Sequence, residues 1–179
     1  MNILIHIIIN EIKDTITYFK NKYSTNENYK QNELLFEWKE SRYIVLSSLF
    51  FLFPAIYAYN YKLYMHMVVL ILTSLLSANY WRNATYGLRR KLDHCFAKFA
   101  FSYFVILGII NVKYLYEYLL IFISVYLYYL SCKNSELSYN NKKNKIIVNQ
   151  KHCWYHYHML FHFTMTTAQF IILHNIVTN

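Results

Sequence analysis

YIVLSSLFFLFPAIYAY, Tyr43–Tyr59, is followed after only a few residues by YMHMVVLILTSLLSANYW, Tyr64–Trp81. Neither stretch contains Asp, Glu, Lys or Arg. A helix needs about 20 largely apolar residues to cross a bilayer, within a range of about 17–25. Both stretches fit, and the short link between them forces an antiparallel hairpin. Three further stretches repeat the pattern: Asp93–Ile110, Tyr114–Ser131 and Trp154–His174. The expected fold is therefore all-α, an integral membrane bundle of about five transmembrane helices over residues 43–175. Pro54 is expected to kink the first helix, which neighbouring helices tolerate in lipid. Several of the apolar stretches are short, which suits a thin bilayer such as that of the endoplasmic reticulum.

Residues 1–42 read differently. Ile5, Ile8, Ile12, Ile16 and Phe19 recur at helical spacing, with Lys13, Lys20 and Lys22 elsewhere. That pattern predicts an amphipathic helix lying in the cytoplasmic membrane interface. It lacks the basic leader and small-residue cleavage site of a signal peptide. Ser24–Glu33 is a polar linker.

Composition agrees with a membrane bundle. Hydrophobic residues make up 56% of the chain and charged residues 15%, against about 25% charged in a soluble domain. The net charge of +9 does not mark a nucleic-acid binder, because the cations lie in loops between apolar stretches. Fifteen of the 18 Lys and Arg fall on the face that holds the N-terminus in a five-helix topology. Lys62 and Lys113 fall opposite, and Lys98 lies inside a helix. Cytoplasmic loops collect Lys and Arg, so the N-terminus is expected inside. Membrane lipids are then the expected partners. Cys95, Cys132 and Cys153 have no CxxC spacing and fall on that same reducing side, so no disulfide is expected.

Polar groups in hydrocarbon are costly and mark sites worth testing. Ser77 lies one turn from the end of the second stretch, Asp93 opens the third, and His158 and His162 sit in the first turns of the last. All four share one side and a similar depth. The two histidines, four residues apart, project from one helix face and are spaced to share a metal.

A Ser near one helix end, an Asp opening the next and His-x-x-x-His in the last helix resemble a known superfamily. It comprises the alkaline ceramidases, the progestin and adipoQ receptors and the Per1-like lipid-remodelling proteins. The resemblance covers Ser74–Cys95 and Trp154–Gln169. It implies a zinc-dependent lipid-amide hydrolase in which Ser77 and Asp93 are catalytic and His158 and His162 hold zinc. Two departures stand out. Trp81 occupies the position of the family's first zinc ligand, and an indole N–H donates but cannot ligate. A third ligand would have to come from Asp93 or His94, because His66 lies about 16 Å deeper along the helix. The chain also has five helices where the family has seven. The resemblance thus points to a reduced relative with an incomplete metal site, either non-catalytic and lipid-binding or, as the alternative, an active zinc hydrolase.

Structural roles compete with each assignment. Ser77, Ser74 and Thr73 are the small residues that let membrane helices pack closely. Asp93 sits where a helix N-terminus favours a carboxylate and where Arg89, Arg90 and Lys98 are near in sequence. A channel is the third reading; it calls for a polar stripe along a whole helix, and none is read in these five.

Overall fold

The computed structural model describes residues 34–143 apart from 112, and 154–179, together with Lys13 and Thr17. The expected interfacial helix and polar linker lie almost wholly outside the described residues. Five helices make up the rest: α1, Trp38–Asn60; α2, Tyr64–Trp81; α3, Leu88–Asn111; α4, Leu115–Lys143; and α5, Trp154–Thr178. The chain is an all-α membrane helical bundle. Trp38–Asn60, Leu88–Asn111, Leu115–Ser138 and Trp154–Thr178 are each long and apolar enough to cross a membrane. The 18-residue α2 is shorter and carries Thr73, Ser74, Ser77 and Asn79. Short turns join it to α1 and α3, and it packs against both.

The helices outrun the apolar stretches that predicted them. α1 begins at Trp38 rather than Tyr43, α3 at Leu88 rather than Asp93, and α4 runs to Lys143 rather than Ser131. Hydropathy marks only the part inside hydrocarbon. The flanking WKES, LRRK and CKNSEL segments are rich in residues that favour helix regardless of solvent. The three spans of 23 or 24 residues reach about 35 Å at 1.5 Å per residue, enough for a bilayer of ordinary thickness. Shortness is thus a property of α2 alone.

Pro54 acts as its chemistry requires. It has no N–H for the Phe50 carbonyl, and the chain tightens into a 3-10 turn at Leu49–Phe51 just ahead of it. The α1–α2 link closes with Leu63 N–H donating to the Ala58 carbonyl at 2.8 Å and Lys62 N–H to Tyr59 at 3.0 Å. This is the helix stop that places its penultimate residue in the left-handed region. Here that residue is Lys62, at φ 61°.

Three layers follow one another along the bundle. At the end that holds the α2–α3 loop, Ile44, Tyr80, Trp81, Ala84 and Trp154 form an aromatic cap, with Phe36 packed against it. The segment before α1 is pinned there by Leu35 N–H donating to the Ala84 carbonyl at 2.8 Å, and the Phe36 ring lies 4.3 Å from Trp154. Beneath the cap lies a layer of buried serines and histidines. Beyond it Ala55, Ala58, Leu70, Phe104, Ile172 and Leu173 fill an apolar layer.

α5 packs against α1, α3 and α4. It meets α4 through three polar rungs. Asn175 Nδ2 donates to Glu117 Oε2 at 2.9 Å, Ser124 Oγ pairs with Thr164 Oγ1 at 2.9 Å, and Ser131 Oγ pairs with His158 Nδ1 at 3.0 Å. Glu117, Ser124 and Ser131 are seven apart, which keeps them on one helix face.

Candidate functional site

The polar layer is built on a double serine. Ser47 and Ser48, both fully buried, turn their hydroxyls back on one carbonyl: Ser47 Oγ donates to Ile44 O at 3.1 Å and Ser48 Oγ to the same atom at 2.8 Å. A hydroxyl has a single hydrogen, so each serine donates either to this carbonyl or to its second neighbour and accepts from the other groups around it. Ser47 Oγ lies 2.8 Å from His162 Nδ1. With the Ser47 hydrogen assigned to Ile44, the imidazole is the donor, its proton is on Nδ1 and Nε2 carries a lone pair; with Ser47 donating to the ring, the proton is on Nε2. Ser48 Oγ lies 2.9 Å from Ser77 Oγ. Either hydroxyl can donate in this pair, and it ties Ser77 to α1.

His158 sits one turn toward the cap. Its Nδ1 pairs with Ser131 of α4, and its ring meets that of His162 edge-on, with centroids 4.7 Å apart. On another side stands Trp81, 5.0 Å away and also edge-on. The seam therefore runs from Ser131 through His158 and His162 to Ser47, Ser48 and Ser77, joining α4, α5, α1 and α2.

Three of the four residues singled out in the sequence, Ser77, His158 and His162, lie on this seam. Asp93 stands apart. Its buried carboxylate lies 3.5 Å from the His94 ring, and it makes no hydrogen bond to Ser77, His158 or His162. His66 is on the distal half of α2, with its ring 5.6 Å from Tyr103. The sequence reading passed over Ser47, Ser48 and Ser131. The signal for the first two is an adjacent serine pair inside an otherwise unbroken apolar run, and for Ser131 the seven-residue spacing on α4.

The residues present do not fit a zinc ion. No group of three His, Cys, Asp or Glu among the described residues is placed to hold a metal. A serine holds one nitrogen of each histidine and leaves the other for a metal, but the third ligand is missing, because an indole stands beside His158 where the resemblance puts it.

The row His158, His162, Thr166 and Gln169 lies on one face of α5, and all four are buried. α5 therefore carries a polar stripe over part of its length, not the whole-helix stripe that a channel calls for. The stripe stops short of the far side, because Ile172 and Leu173 belong to the apolar layer. It forms a blind seam rather than a pore.

Comparison with protein-family models, characterised proteins and solved structures gives no match. Fold and seam together define the class: a multi-pass, all-helical membrane protein with a buried Ser–His seam beneath an aromatic cap.

Proposed function

We propose that this chain is a non-catalytic, lipid-binding membrane protein, a reduced relative of the zinc-dependent lipid hydrolases it resembles. The observation that carries the reading is the way Ser77 and His162 are committed. An oxyanion needs hydrogen-bond donors aimed at it, and the Ser77 hydroxyl is paired with Ser48 of α1 instead. A catalytic zinc needs three protein ligands with an open fourth position, and Trp81 beside His158 supplies none. That Trp81 does approach His158 supports the resemblance itself, since position 81 is where the motif calls for the first ligand. The N-terminus lies in the cytoplasm on this reading, as the Lys and Arg distribution favours. The short α2 suits residence in a thin endomembrane such as the endoplasmic reticulum.

Metal analysis of the detergent-purified chain tests the reading. The expected zinc content is far below one equivalent and is unchanged in His158→Ala. About one zinc per chain, lost in His158→Ala and accompanied by hydrolysis of a lipid amide, would establish the hydrolase instead.

A further inference from the structure

Charge is spread unevenly over the end of the bundle that carries the aromatic cap. The start of α1 balances itself, with Glu37 and Glu40 beside Lys39 and Arg42. The α2–α3 corner does not: Arg82, Arg89, Arg90 and Lys91 have no Asp or Glu among them. The next acid, Asp93, is buried beside His94. Arg90 is used inside the protein. Its guanidinium covers the Tyr86 ring at 4.5 Å and pairs with the Tyr80 hydroxyl. Arg82, Arg89 and Lys91 are exposed, and their side chains form no ion pair or hydrogen bond among the described residues.

The periodicity of α3 places two of these cations against lipid. Leu88, Leu92, Phe99, Ile106 and Ile110 are all exposed. At about 100° per residue they fall within about 40° of one another. They form one apolar stripe along α3, and in a membrane bundle an uncovered apolar stripe faces the lipid tails. Ala100, Phe104 and Gly108 lie on the other side and are buried. The stripe starts at Leu88, in the first turn, so the hydrocarbon boundary lies at that level. Arg89 and Lys91 stand about 80° to either side of the stripe, and Arg90 stands behind it. Long cationic side chains at such a boundary lay their stems on apolar surface and reach the headgroups with their charged ends.

We propose that the first turn of α3 binds one anionic phospholipid, with its phosphate between Arg89 and Lys91 and an acyl chain along Leu92 and Phe99. The ligand class follows from the charges. Two unpaired cations flank a hydrocarbon track, and a zwitterionic headgroup would bring a third cation to the same place. At the other end of α3 stands Lys113 alone, so the site belongs to one leaflet. With the N-terminus inside, that leaflet is the cytoplasmic one, where anionic lipids concentrate. The site names a lipid class for the lipid-binding reading given above and rests on it for sidedness alone. It lies outside the Ser–His seam and does not depend on what the histidines hold.

The test uses the full chain in phosphatidylcholine nanodiscs with a trace of one photoactivatable lipid, phosphatidylserine or phosphatidylcholine, carrying the reactive group on the same acyl chain. A cation at headgroup level is worth about fivefold in affinity for an anionic lipid. Phosphatidylserine is therefore expected to label residues 88–99 about fivefold more than phosphatidylcholine, or better. Arg89→Gln/Lys91→Gln is expected to bring the two probes to parity. Arg89→Lys/Lys91→Arg keeps the preference, which separates charge from folding. Salt at about 1 M, where the screening length is about 3 Å, is expected to weaken it. Equal labelling of the unaltered chain by the two probes, or a preference that survives Arg89→Gln/Lys91→Gln, overturns the proposal. Zinc measured on the same samples reports separately on the seam, so the two readings fail distinguishably.

Discussion

The two halves of the bundle are built from the same helices by different rules. Around Ala55, Leu70, Phe104, Ile172 and Leu173, contact is apolar and depends on shape alone. Around Ser47, Ser48, Ser77, His158 and His162, every contact has a donor, an acceptor and a direction. In hydrocarbon, helices gain nothing by hiding apolar surface from lipid tails, so close packing and polar contacts carry association. The apolar half thus contributes bulk stability. The polar half contributes order, because Ser47 pairs with His162 and Ser48 with Ser77, which holds both side chains against α1.

That contrast can be broken by substitution. Phe104→Ala opens a void in the apolar half and is expected to cost most, about 3–4 kcal/mol in the unfolding free energy measured in mixed micelles. Ser47→Ala leaves His162 Nδ1 buried and unpaired, and its expected cost is about 1–2 kcal/mol. The double variant Ser47→Ala/His162→Leu removes both partners and should recover part of that loss. If it is worse than additive, the polar half is held by packing like the apolar one. Ser124→Ala, which cuts a rung between α4 and α5, is expected to cost about 0.6 kcal/mol, the usual value for such bonds in membranes. Lys62→Gly should be neutral or stabilise by up to about 1 kcal/mol, because only the left-handed backbone at that position is at stake.

Much of this was legible beforehand, for physical reasons. Apolar runs between charged loops gave five helices and their order, because backbone groups in lipid have no stable alternative to helix. Helix ends were not legible: Trp38 and Leu88 begin helices in charged sequence, where hydropathy is silent but helix propensity is not. Ser77, His158 and His162 were found because a polar group in hydrocarbon is conspicuous, and the structure joins them in one seam. Asp93 was grouped with them by depth alone. Depth along a helix says nothing about the face, and its carboxylate turns out beside His94. Ser47, Ser48 and Ser131 were passed over because a serine inside an apolar run reads as packing until its partner on another helix is known.

The protonation state of His162 tests the account most directly. Nitrogen-15 NMR of histidine-labelled protein, assigned with His162→Leu, distinguishes a protonated nitrogen from a bare or metal-bound one. The predicted result is a neutral ring with an unmetallated Nε2, its proton on Nδ1 where Ser47 gives its hydrogen to Ile44. A charged ring, or a zinc-shifted Nε2 signal lost on chelation, would contradict it.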